Sequence, residues 1–128
     1  MVSSRVKKYD SHFERTLHKG PLKGCVFHPP KIEYVIHKKY EPDFVKGKVL
    51  IEAKGRFRDR QESAKYLWLR KALPKGYTLV FVFMNHKASM PGSRRRKDGT
   101  RQSVGEWATK QEFTWYTPRT CPREWSKV

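Results

Sequence analysis

Apolar residues recur along the chain with two different periods, and each period predicts an element. Val6, Tyr9, Phe13 and Leu17 follow one another at spacings of three, four and four, the stripe of an amphipathic helix over residues 3–19 that Gly20-Pro21 ends. After a loop at 20–24, residues 25–28 and 31–37 read as short strands interrupted by Pro29-Pro30. Residues 40–45 and 49–54 read as two further strands around Gly47-Lys48. Asp59, with Glu62 three residues on, opens a second helix over 59–73. Ala64, Leu67, Trp68 and Ala72 form its apolar face, and Pro74 and Gly76 stop it. Residues 77–84 are almost continuously apolar, which suits a central strand buried on both faces. A long loop follows over 85–101. Ser103 with Glu106 starts a short third helix to about Gln111, and residues 113–116 form a last strand before a Pro-containing tail that completes the 103–128 segment. The order predicts an α/β fold, a mixed β-sheet flanked by helices in a single domain spanning residues 1–128.

Charge changes this picture from a fold to a partner. A chain of 128 residues suffices for one core, but 29 Lys and Arg against 12 Asp and Glu give a net charge of +17. Such an imbalance repels itself unless a polyanion is the usual partner. Nucleic acid is the first candidate, an anionic membrane surface the second, ribosome association a third. No apolar run approaches the ~20 residues of a spanning helix, and the opening Met1-Val2-Ser3-Ser4-Arg5-Val6-Lys7-Lys8 lacks the apolar core of a signal peptide. No membrane association is expected; the chain reads as intracellular and not secreted. Cys25 and Cys121 form no CxxC pair, so they indicate neither a disulfide framework nor a zinc site. Trp68, Trp107, Trp115 and Trp125 are expected in the core or at interfaces.

Acids in so basic a chain need a reason, and Asp43 and Glu52 have one. A two-residue turn at Gly47-Lys48 places Lys46 opposite Val49, Val45 opposite Leu50, Phe44 opposite Ile51, and Asp43 opposite Glu52. Directly opposed residues have Cβ atoms roughly 4.5–5.5 Å apart, so both carboxylates can reach one Mg²⁺ at about 2.0–2.1 Å. The Ala53 carbonyl is a further oxygen donor. Alternation puts Lys54 on the face of Glu52, with Phe44, Ile51 and Ala53 directed into the core. Lys54 can orient or deprotonate an attacking water, or stabilise charge on phosphoryl oxygens. The competing reading is structural: the same register puts Glu41 opposite Lys54, and a salt bridge there would account for the lysine.

Pro42-Asp43 followed by Glu52-Ala53-Lys54 resembles the PD-(D/E)xK nuclease signature. More narrowly, the chain resembles the phage endonuclease I family of Holliday-junction resolvases, through residues 40–44, 51–55, 59–61, 79–83, 103–107 and 122–125. The likeness implies a restriction-endonuclease-like core in an intertwined, domain-swapped homodimer. It implies cleavage of branched DNA, chiefly four-way junctions, by paired nicks that leave 5′-phosphates, with Mg²⁺ or a substituting Mn²⁺ and no small-molecule cofactor. It adds Glu14 on the first helix as a further catalytic and metal-binding residue, contributed to the partner's site, with the residues around Tyr34 to Tyr40 within the 25–54 strands as the bridge between subunits. A phage setting would place the protein in the host cytoplasm. The family's acid on the strand after the first helix has no counterpart in Cys25-Val26-Phe27.

Basic residues cluster where DNA would lie. Lys87, Arg94, Arg95, Arg96, Lys97 and Arg101 occupy a loop that Gly92 and Gly99 make mobile, and Arg56, Arg58 and Arg60 follow the candidate site strand. These residues are expected to contact phosphates, which position a protein without reading sequence. Two other functions remain: a non-catalytic basic nucleic-acid-binding protein, and a repair or restriction-type nuclease cutting linear duplex.

Overall fold

A computed structural model of the chain describes residues 9–128. Contacts divide the chain into two compact units, with the boundary after Lys38. In the first unit Ser11 caps helix α1 (His12–Lys19), its hydroxyl accepting from the Glu14 amide at 3.1 Å. The expected start at residue 3 lies outside the described residues. Tyr9 precedes the helix instead of belonging to its stripe, because the cap at Ser11 fixes the first turn. Tyr9 packs on Phe27, ring centroids 4.5 Å apart, and bonds His18 Nδ1 at 2.7 Å.

The strands expected at 25–28 and 31–37 do not form; both segments are irregular. A strand exists only as part of a ladder, and Pro29-Pro30 removes two adjacent donors. The segment leaves Ile32, Tyr34, Val35 and Ile36 exposed.

The second unit is built on one four-stranded mixed sheet in the order β1 (Phe44–Lys46), β2 (Val49–Lys54), β3 (Thr78–Phe83), β4 (Thr114–Tyr116). β1 is shorter than the 40–45 reading and runs antiparallel to β2, pairing Phe44 with Ile51, Val45 with Leu50 and Lys46 with Val49, the expected register. Of the two turn residues only Gly47 has positive φ, at 59°, as a type II′ turn requires. β2 to β3 and β3 to β4 are parallel, which puts Glu52 beside Phe81 and Lys54 beside Phe83.

Helices α2 (Arg60–Ala72) and α3 (Val104–Lys110) cover one face of this sheet. Asp59 caps α2, and Ser103 with Glu106 closes a reciprocal capping box on α3. Tyr66, Trp107, Phe57 and Phe113 pack around Phe81, with ring centroids at 5.1, 6.0, 5.8 and 5.1 Å. The inward stripe of α2 is Ser63, Tyr66 and Leu67 with Arg70, and not the face centred on Trp68, which is 70 % exposed under Lys71. Tyr66 wins the buried position because its hydroxyl has a partner inside. Arg70 bonds the Gln111 carbonyl at 2.6 Å and lies over the Phe113 ring.

The face expected to hold Phe44, Ile51 and Ala53 in the core is the thinly covered one. Ile51 is buried, but Phe44 is 62 % exposed and Ala53 is exposed too. Both helices lie against Leu79, Phe81 and Phe83, so the core sits on the face that carries Glu52. The short helical turn Arg123–Ser126 supplies Trp125 to the opposite face. Among the described residues no helix is long and apolar enough to cross a membrane.

Candidate functional site

The site grows from the end of the hairpin ladder. Pairing stops at Phe44 and Ile51, and two residues further along β2 the Ala53 amide donates to Asp43 Oδ2 at 2.9 Å. Asp43 thus leans across to β2 from an exposed position. Glu52, whose carboxyl interacts with that of Asp43, is 4 % exposed. Its two oxygens have separate donors: the Tyr40 hydroxyl bonds Oε1, and the Tyr66 hydroxyl bonds Oε2 at 3.4 Å. Burial pushes the Glu52 carboxyl up; the Tyr40 hydrogen bond pulls it down, the Asp43 carboxylate adds to the rise, and the net shift is upward. Tyr40 is raised, first by burial and then by Glu52, so it stays a donor.

Lys54 shares this face at the end of β2. Glu41 is not its partner. Lys54 Nζ pairs with Glu62 Oε2 at 3.4 Å and lies 5.4 Å from the Tyr66 ring centroid. Glu41 precedes the ladder, whereas the first turn of α2 brings Glu62 directly over the end of β2. Burial lowers the Lys54 ammonium, but Tyr66, Glu62 and Glu52 together outweigh it and the net shift is upward. Lys54 is therefore a lysine that keeps its proton.

Asp43 and Glu52 offer hard carboxylate oxygens to a shared space, with the Ala53 carbonyl on the same stretch, a donor set that fits Mg²⁺ or Mn²⁺ and not a thiol-seeking metal. Two adjacent acids whose mutual repulsion raises one of them gain from a cation between them.

Glu14 lies in the first unit, apart from these residues in the chain's division. There Glu14 Oε1 accepts from the Asp10 amide at 2.8 Å, a helix-start role and not the surface salt bridge that is the ordinary use of such a residue. Asp10, Glu14 and His28 place ligand atoms within 4.8 Å of one another, largely exposed.

The basic loop is not free. Arg60 bonds the Gly92 carbonyl, Arg101 the Ser93 carbonyl, and Arg96 pairs with Glu106 at 2.8 Å. The Met90 amide bonds the Gln102 carbonyl at 2.8 Å, closing the loop at its base. The mobility expected from Gly92 and Gly99 is countered by these ties. Among the described residues the side chains of Arg56, Lys87, Arg94, Arg95 and Lys97 form no ion pair, and Arg58 pairs with Asp59 at 3.2 Å. Arg56, Arg58 and Lys54 line one pocket with Glu62 and Met90, so Lys54 opens onto basic surface.

Sequence reasoning missed Tyr40, Tyr66 and Glu62. Glu62 was visible as a helix-start residue, and its capping spacing concealed its second use. In comparisons with protein-family models and with curated proteins, no match is found.

Proposed function

We propose that this protein is a divalent-metal-dependent endonuclease that nicks branched DNA, with four-way junctions as its main substrate. The observation that carries the reading is the paired carboxylates of Asp43 and Glu52 with the charged Lys54 on the same face, in a chain of net charge +17. A carboxylate pair with a buried member is costly in a protein meant only to bind polyanions, since it repels phosphate. The resemblance of the motif to the phage endonuclease I resolvases supplies the substrate class.

Asp43, Glu52 and the Ala53 carbonyl would hold Mg²⁺. When bound, the metal supplies Lewis acidity at the scissile phosphate. The side chains do the rest. Tyr40 and Tyr66 fix the Glu52 carboxylate so that its oxygens need no reorganisation when the substrate arrives. Lys54, keeping its proton, faces the negative charge that gathers on the phosphoryl oxygens as water attacks in line. Because it is an ammonium, it is a charge stabiliser and not the base. Bond breaking leaves a 3′-hydroxyl on one strand end and a 5′-phosphate on the other. Arg56, Arg58 and the unpaired cations of the 85–101 loop would hold the flanking phosphates, and Glu14 would reach the site from a second subunit.

Purified protein offered a four-way junction and a linear duplex is expected to nick the junction, only with Mg²⁺ or Mn²⁺. Equal cutting of both would remove the junction claim, and metal-independent binding without cutting would favour a packaging role. Asp43→Asn keeps an oxygen for the Ala53 amide but loses the charge. It is expected to bind junctions like the wild type and to cut at least about 100-fold more slowly.

A further inference from the structure

Glu62 is tied down more firmly than helix capping needs. Its amide bonds Asp59 Oδ1 at 2.8 Å, its Oε1 accepts from the Arg58 amide at 2.8 Å, and its Oε2 faces Lys54 Nζ at 3.4 Å. The Glu62 and Lys54 side chains are 14 % and 18 % exposed, so water screens the pair little. Tyr66, one turn further along α2 on the same face, lies under the ammonium with its ring and reaches Glu52 with its hydroxyl. The other carboxylate acting on Lys54 is Glu52 itself. Without Glu62, the ammonium would lean toward the metal-binding acids and cancel their charge.

We propose that Glu62 is a positioning residue for phosphodiester cleavage: from the first turn of α2 it holds the Lys54 ammonium off Glu52 and toward the scissile phosphate. This assignment rests on the nuclease reading above. It also separates two jobs of one side chain. Oε1 stabilises the start of α2, which any acceptor could do. Oε2 holds a cation, which only a charged group does well.

Glu62→Gln separates them, because the amide keeps an oxygen for Arg58 and loses the charge that faces Lys54. The expected result with Mg²⁺ is a kcat about tenfold lower, with junction Kd and KM within about twofold of wild type. Lys54→Ala lowers kcat further, and the double variant is expected to be no slower than Lys54→Ala alone, since Glu62 acts only through Lys54. Thermal melting of each variant checks folding. If E62Q melts below the assay temperature, Glu62→Asp takes its place in the cycle, with a smaller loss expected and the same absence of compounding. Wild-type kcat in E62Q, or losses that multiply in the double variant, overturns the assignment. A wild-type protein that cuts nothing overturns the nuclease reading instead, so the two failures are told apart by one control.

Discussion

Glu52 holds a carboxylate at 4 % exposure between two tyrosine hydroxyls and next to Asp43. Its carboxyl is raised above the ordinary range, chiefly by burial. For an acid so shifted, the folded state favours the protonated form. The stability it contributes is present below the ordinary carboxyl range and is lost as pH rises through the raised value. At neutral pH the fold therefore bears a charge it would be more stable without, a pattern expected of a functional acid. Glu52→Gln should melt at a higher temperature than wild type at neutral pH. The gap should close as the pH is lowered below the ordinary carboxyl range, where Glu52 is protonated in the folded and the unfolded chain alike. Added Mg²⁺ should raise the melting temperature of the wild type but not of the variant, and EDTA should reverse that rise. A variant less stable than wild type at neutral pH would show that Glu52 is a structural acid satisfied by its tyrosines.

The elements differ in how plainly they can be read. The α2 and α3 starts are legible because Asp59 and Ser103 cap them through contacts three residues long. The hairpin register follows from Gly47 alone, since one positive φ selects the turn and the turn selects every pair after it. Legibility ends where a partner is distant. Residues 31–37 have the composition of a strand, but nothing among the described residues pairs with them. Which face of β2 meets the helices depends on the crossover through α2, and alternation alone leaves it open; hence Glu52, and not Phe44, faces the core. The 85–101 loop is similar: Arg60 reaches Gly92 across 32 residues. Gly92 has φ +70°, and a Cβ there would lie 2.5 Å from Arg60 Nε. Gly92→Ala should lower stability in denaturant melts by about 1–2 kcal/mol. Arg60→Ala in the same chain should recover part of that loss, because the clash goes and the φ strain stays. Fully additive losses would mean that Arg60 and Gly92 do not touch.

For the molecule as a whole, the proposed paired nicking asks for a second copy. Ile32, Tyr34, Val35 and Ile36 are 88, 80, 79 and 63 % exposed, and Phe44 and Val45 are 62 and 60 % exposed. An apolar run such as Ile32, Tyr34, Val35 and Ile36 is rarely left in water by a chain that functions alone. A twofold dimer would cover them and give a junction the two matched sites that paired nicking needs. Under the nuclease reading proposed above, it would also let Glu14 of one chain reach the Asp43 and Glu52 of its partner. If each site takes Glu14 from the partner, a dimer of one Glu14→Ala chain and one Asp43→Ala chain has one intact site: its Asp43 comes from the first chain and its Glu14 from the second. The other site lacks both. Two inactive proteins, unfolded together and refolded as a mixture, should then nick one strand of a junction, at about half the wild-type rate per mixed dimer by simple site counting. If each site takes Glu14 from its own chain, both sites in every mixed dimer are broken and the mixture stays inactive. Tagging the two chains differently and purifying the dimer that carries both tags makes the silent outcome decisive, because exchange has then occurred and the chains have still failed to complement.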